Sequence, residues 1–152
     1  MTRVNLVPPN ELYDQHLMAE YRELLMIPAA LTRTLRSKKG LTLAEYPKRF
    51  TLNTGHVSFF YDKGRYLERR YSELVKELIW RGFKLDPNRV FPVSIFIDND
   101  LYGDWQPDAA DFALIRVRLA EKLAKRPGWY RKTPTSKNRV GSHSGEASDS
   151  DD

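Results

Sequence analysis

Asn10-Glu11-Leu12-Tyr13-Asp14-Gln15-His16-Leu17-Met18-Ala19-Glu20-Tyr21-Arg22-Glu23-Leu24-Leu25-Met26-Ile27 carries apolar side chains at three- and four-residue steps. Tyr13, Leu17, Tyr21 and Leu24 form the stripe, and Met18 and Leu25 widen it, which is the pattern of a helix with one buried face. Asn10, after the stiff Pro8-Pro9 pair, is the expected N-cap. Pro28 lacks an N–H and crowds the preceding turn, so it is expected to end or kink this helix. A further helical piece is expected through Leu31 and Leu35 to about Lys38.

Two more stretches repeat the pattern. Residues 65–81 place Leu67, Tyr71, Leu74 and Leu78 on one face, with Gly82 suited to the C′ position. Residues 108–125 place Phe112, Leu119 and Leu123 on a spine, with Asp108 as cap or first-turn acid and Pro127-Gly128 as the stop. Residues 39–63 and 84–105 hold most of the prolines and isolated glycines and read as irregular. Within them Val93-Ser94-Ile95-Phe96-Ile97 has the composition of a short strand but no obvious partner. No internal repeat is present. The fold class is all-α: one compact domain of three main helices with long irregular loops, over residues 1–132. From Thr133 to Asp152 the chain is rich in Ser, Gly and Asp, with almost no large apolar side chains, and is expected to be a disordered polar tail.

The 152 residues suffice for one hydrophobic core. No apolar run approaches the roughly 18 to 20 residues that span a bilayer, and the N-terminus lacks the basic and apolar blocks of a secretory signal. The expected location is therefore intracellular (cytoplasmic), with no membrane partner. Cysteine is absent, which excludes disulfides, thiolate metal sites and cysteine nucleophiles together. His16, His56 and His143 are too far apart in sequence to suggest a zinc site, and no phosphate-cradling glycine loop or serine nucleophile elbow occurs. Neither metal nor cofactor is expected. Net charge is +5; residues 133–152 carry two basic and four acidic side chains, so the preceding 132 residues hold +7. That basic balance points to a polyanionic partner.

Met1-Thr2 is a start from which methionine is usually removed, because threonine is small. The exposed α-amine of Thr2 would have a pKa of roughly 8, against about 10.4 for lysine, so a useful fraction is neutral and nucleophilic at neutral pH. Arg3 beside it lowers that value further. Such a start is common and by itself says little. On the first helix Gln15, Ala19, Arg22, Glu23 and Met26 lie opposite the apolar stripe, with His16 at the border, in line with Glu23 seven residues on. A carboxylate beside an arginine and a small alanine suits the floor of a polar cleft; periodicity alone equally suits a solvated face. Arg118, Lys122 and Arg126 recur every four residues as one basic ridge, able to track a phosphate backbone. Glu121 and Lys125 make part of that helix a solvated face.

Met1-Thr2-Arg3-Val4-Asn5-Leu6 and then Asp14-Gln15-His16-Leu17-Met18-Ala19-Glu20-Tyr21-Arg22-Glu23-Leu24 strongly resemble the phage pyrimidine-dimer glycosylase family, often called the endonuclease V type. Gly55-His56-Val57-Ser58-Phe59-Phe60-Tyr61-Asp62-Lys63 is similar to its second signature. Arg81-Gly82-Phe83, Arg118-Leu119-Ala120-Glu121-Lys122 and Arg126-Pro127-Gly128-Trp129-Tyr130 match later blocks in the same order, so the resemblance covers about residues 1–131. It implies a three-helix domain whose N-terminal segment threads between helices. It implies a DNA N-glycosylase and abasic-site lyase, in which the Thr2 amine attacks C1′ of the damaged nucleotide and forms a Schiff base. Glu23 would stabilise the cationic imine and assist proton transfer, and β-elimination would cut the strand on the 3′ side. Arg3, Gln15, His16, Arg22, Arg118 and Lys122 would contact a kinked duplex from which an adenine is flipped out. The implied partner is double-stranded DNA carrying pyrimidine dimers or abasic sites, bound by a monomer.

Two features depart from the family pattern. Met26 stands where a basic residue is common, and the polar sequence after Trp129-Tyr130 replaces an aromatic-rich end. Action of the same chemistry on other damaged bases, or DNA binding without chemistry, are the alternatives; a pure binder needs neither Thr2 nor Glu23. His56 reads as a packing histidine in a Gly-His-Val loop, with both ring nitrogens satisfied.

Overall fold

A computed structural model describes residues 3–135. Six α-helices succeed one another among these residues: α1 Asp14–Glu23, α2 Met26–Arg36, α3 His56–Phe59, α4 Gly64–Trp80, α5 Ser94–Asp98 and α6 Ala109–Lys125. The described residues contain no strand; one isolated bridge joins Lys63 to Tyr102. The all-α expectation therefore holds, with α1, α4 and α6 as its framework and shorter helices between.

The first expected helix is not one helix. It stops at Glu23 and restarts at Met26. The cause is Pro28, acting four residues upstream: its ring would collide with the Leu24 carbonyl in a continuous helix. The chain turns at Leu24–Leu25, with the Ile27 N–H reaching Leu24 O over three residues (3.1 Å). Pro28 then sits in the first turn of α2, where its missing N–H costs nothing. Asn10 does not cap α1. It lies in a 3-10 turn, Pro9–Glu11, and Tyr13 occupies the cap position without a side-chain bond. The start of α1 is satisfied from across the molecule: the Asp14 N–H donates to the Arg131 carbonyl (2.7 Å).

Helix α4 keeps closely to its apolar period. Leu67, Tyr71, Leu74 and Leu78 are buried. It ends at Gly82 with φ 96°. There Gly82 N–H donates to Ile79 O and Phe83 N–H to Leu78 O, the paired bonds of a Schellman cap. At its start, a Cβ on Gly64 would meet the Phe96 ring at 2.4 Å, so glycine is required by that close approach. Helix α6 opens on a reciprocal capping box between Asp108 and Asp111. Its buried anchor is Ile115, with Phe112 and Leu119 half-buried beside it.

Val93–Ile97 is not a strand. Ser94–Asp98 is a short helix, and it drives Phe96 into the core against Gly64 and the stacked Phe91 ring, 5.6 Å away. A lone strand would leave its backbone groups unpaired; a helical turn satisfies them locally. His56, expected in a loop, begins the single turn α3, entered through Gly55 at φ 101°.

Helices α1 and α4 form the central seam, with Tyr21 and Tyr71 stacked at 5.6 Å. The stretch Val4–Val7 is buried against this seam. Charged residues interrupt the seam and are paired there. Arg70 grips Glu20 through Nε (2.7 Å) and Nη2 (3.0 Å), and its Nη1 donates to the Leu6 and Val7 carbonyls. Arg81 joins Glu77 and Asp14, each at 2.9 Å. Among the described residues, no helix is long and apolar enough to cross a membrane.

Candidate active site and nucleic-acid interface

The N-terminal segment leads into the site. Thr2, the expected nucleophile, lies outside the described residues. The residues after Arg3 are firmly held. Val4 is fully buried, and its N–H donates to His56 Nε2 (2.9 Å). Asn5 is buried and bridges two elements: its Nδ2 donates to Glu20 Oε1 (3.0 Å), and its Oδ1 accepts from Arg118 Nη1 (3.3 Å). Leu6 adopts φ 57°, an unusual conformation for a branched side chain. The Arg70 bonds to the Leu6 and Val7 carbonyls hold the backbone there.

Asn5 thus ties α1, through Glu20, to α6, through Arg118; Glu23 and Tyr130 act on Arg118 by their charge, and His16 lies within range of Arg118 and Lys122. Arg118 is the common neighbour. Burial lowers its pKa, and the adjacent Arg3 cation pushes the same way, while Glu23, Glu20 and Tyr130 favour its charge. Arg3 and Glu23 thus each lie within electrostatic range of Arg118, although Glu23 and Arg118 are 95 positions apart in sequence. His16 packs its ring on Tyr130 at 4.6 Å. Burial holds its pKa below the ordinary histidine value, helped by the Arg118 and Lys122 charges, which keeps the imidazole neutral at neutral pH. Its Nε2 is buried without a hydrogen-bond partner among the described residues.

On the other flank of α1 runs an open groove of about 560 Å³, lined in part by Gln15, Ala19, Arg22, Lys84 and Arg131. The cleft floor expected from the helix wheel is present here for Gln15, Ala19 and Arg22; Glu23 does not line it. Gln15 has its amide engaged on both ends. Its Nε2 donates to the Trp129 carbonyl (2.8 Å), and its Oε1 accepts from the Arg131 N–H (3.0 Å). Asp14 continues the attachment, accepting from the Thr133 N–H and hydroxyl. Thr133, the first residue of the expected polar tail, is therefore fastened to α1, and residues 136–152 lie outside the described ones. Arg126, the last residue of the expected ridge, stacks on Trp129 at 3.7 Å. Lys122 is exposed.

Sequence reasoning missed Asn5, Glu20, Lys84 and Arg131. A signal for Glu20 was present: it falls within the apolar stripe of its helix, three residues after Leu17, and Arg70 interrupts the stripe of α4 in the same way. Two opposite charges on two buried faces must find each other. Among the described residues no group of three or more His, Cys, Asp and Glu side chains could hold a metal ion. The site thus offers a held N-terminal segment, a nearby carboxylate, a neutral histidine and a set of cations, which suits chemistry on an anionic polymer. A model of the family described as pyrimidine dimer DNA glycosylase matches residues 1–90, which include the N-terminal segment and α1 to α4. The chain belongs to the pyrimidine dimer DNA glycosylase family.

Proposed function

We propose that this pyrimidine dimer DNA glycosylase works through the α-amine of Thr2, freed by removal of Met1, and is also an abasic-site lyase. The neutral amine attacks C1′ of the 5′ pyrimidine nucleotide of the dimer. An N–C1′ bond forms, and the glycosyl bond breaks with its electron pair leaving on the base. Opening of the sugar ring gives a Schiff base. Loss of a C2′ proton then expels the 3′ phosphate by β-elimination. Glu23 faces the positive charge that develops on the imine and takes up the proton.

The observation that supports this reading is that Asn5, three residues from the amine, is bonded to Arg118, on which the charges of Arg3 and Glu23 both act. Arg3, His16, Arg22, Arg118 and Lys122 serve as contacts to the duplex. Gln15 is a further contact, at the groove on the other flank of α1 that it shares with Arg22 and Arg131. Base flipping is part of the reading. Residues 1–132 form the catalytic unit, acting as a monomer.

The test is borohydride trapping on duplexes carrying a cyclobutane dimer or an abasic site, with peptide mapping of the product. The expected adduct is on a peptide beginning at Thr2. An adduct on a lysine, or an active protein that retains Met1, would overturn the proposal.

A further inference from the structure

We propose that His56 is a positioning residue for the nucleophile: it fixes the peptide of Val4, and through it the reach of the Thr2 amine. This rests on the reading of that amine as the nucleophile.

The two ring nitrogens have unambiguous partners. Nδ1 lies 2.7 Å from the Thr51 carbonyl, which can only accept, and Nε2 lies 2.9 Å from the Val4 N–H, which can only donate. The ring is therefore the neutral tautomer with its proton on Nδ1. Three features keep it there. Gly55, in the left-handed conformation, turns the chain into α3 at this residue, with Pro47 so close that no Cβ would fit. Phe50 and Phe60 pack edge-on against the imidazole at 5.4 and 5.5 Å. The residue is 1 % exposed. The charged groups that act on it are Arg3 and Arg118, both cations, so the surroundings favour the neutral ring.

The consequence is geometric. Val4 is fully buried, so water is not at hand to replace the imidazole as acceptor. Between this anchored amide and the α-amine stand only Thr2 and Arg3, which span roughly 7 Å at full extension. The anchor thus bounds how far the amine can reach from Val4. Attack on C1′ depends steeply on such placement, where a displacement of about 1 Å can cost on the order of 100-fold. A histidine 52 residues from Val4 in sequence thus holds the peptide from which the proposed nucleophile extends.

The experiment measures single-turnover imine formation, by borohydride trapping at saturating enzyme on a duplex with an abasic site. Duplex affinity and thermal midpoint are measured on the same proteins. His56→Leu keeps the bulk and removes the acceptor; His56→Gln offers an amide oxygen in place of Nε2. A third protein carries the α-hydroxy acid analogue of valine at position 4, replacing the Val4 N–H by an ester oxygen and leaving His56 untouched. The expected result is imine formation slowed roughly 100-fold by His56→Leu and by the ester, with affinity within about threefold, and most of the rate restored in His56→Gln. Hydrogen exchange at Val4 should be fast in His56→Leu and protected in His56→Gln. Should His56→Leu fail to fold, the ester protein decides alone. Wild-type rates in the ester protein, or a loss of rate that only tracks a loss of duplex affinity, overturn the proposal. Peptide mapping of the wild-type adduct separates the two levels: an adduct elsewhere than Thr2 defeats the amine reading, whereas an adduct at Thr2 with unchanged variant rates defeats only the role of His56.

Discussion

Glu23 and His56 show how a single residue is given its task by what surrounds it. Glu23 is half-buried near the end of α1, within range of Arg118. Its proposed work is on charge that appears only during reaction. Glu23→Gln should therefore lower the single-turnover cleavage rate by two or more orders of magnitude while changing duplex affinity little. Equal losses in both measurements would assign it a structural role. His56 makes a prediction about stability. Burial, with the Arg3 and Arg118 cations, pushes its pKa down from 6.5 to about 4, against the opposing bond to Thr51. A base whose pKa is depressed by folding binds its proton more readily in the unfolded chain. Its contribution to stability is thus complete above about pH 6.5 and is lost as pH falls toward 4. Over that window the wild type should lose about 3 kcal/mol that His56→Gln does not lose. Denaturant midpoints across pH 4 to 7 check this, and parallel curves for the two proteins would refute it.

At the scale of elements, the α1–α4 seam and the outer face of α6 do different work. The seam contains Arg70 and Glu20, 2 % and 0 % exposed at their side chains. Removing one partner leaves a buried uncompensated charge, so Arg70→Met should destabilise by about 3–5 kcal/mol. The double variant Arg70→Met with Glu20→Leu should recover a good part of that, as read by urea unfolding. On α6, Lys122 is exposed, whereas Arg118 is half-buried and bonded to Asn5. Lys122→Ala should weaken binding to damaged and undamaged duplex alike, reduce the salt slope of log K by roughly one, and leave the saturated cleavage rate intact. Arg118→Ala should add a loss of rate, because it also releases Asn5 and the segment behind the nucleophile. An unchanged salt slope for Lys122→Ala would return that residue to a solvated face.

For the whole molecule, the question is where the folded unit ends. Asp14 is bonded to Arg81 and to both the N–H and hydroxyl of Thr133. Burial alone would raise its pKa, but the Thr133 and Arg81 bonds outweigh it and hold the carboxyl below its ordinary value. Deleting residues 136–152 should leave thermal midpoint and activity nearly unchanged, since that sequence offers little apolar surface. Deleting residues 129–152 removes partners of Asp14, Gln15 and His16 together. It should cost about 2 kcal/mol or more, each lost bond to a buried polar group contributing of order 1 kcal/mol. A calorimetric comparison of the two truncations with the full chain decides the boundary.

The helices of this protein were legible from the chain because their causes are local. A 3.6-residue period marked α4, Asp108 and Gly82 marked helix ends, and the block around Thr2, Arg22 and Glu23 marked the family. Where a cause lay across the molecule, the chain alone misled or was silent. Pro28 broke the first helix upstream of itself because of a clash with one carbonyl, and Phe96 made a helix of an apparent strand by filling the space that Gly64 leaves. Pairings such as Val4 with His56, Glu20 with Arg70 and Asp14 with Thr133 leave no periodic trace in sequence, since a hydrogen bond over 50 to 119 residues depends on how helices pack and not on what stands beside each residue. Residue types and helical faces were thus determined by the sequence by itself. Which of those faces meet, and therefore which charges are buried, bonded and kept from water, was decided only by the tertiary structure, because burial is a property of the packed whole.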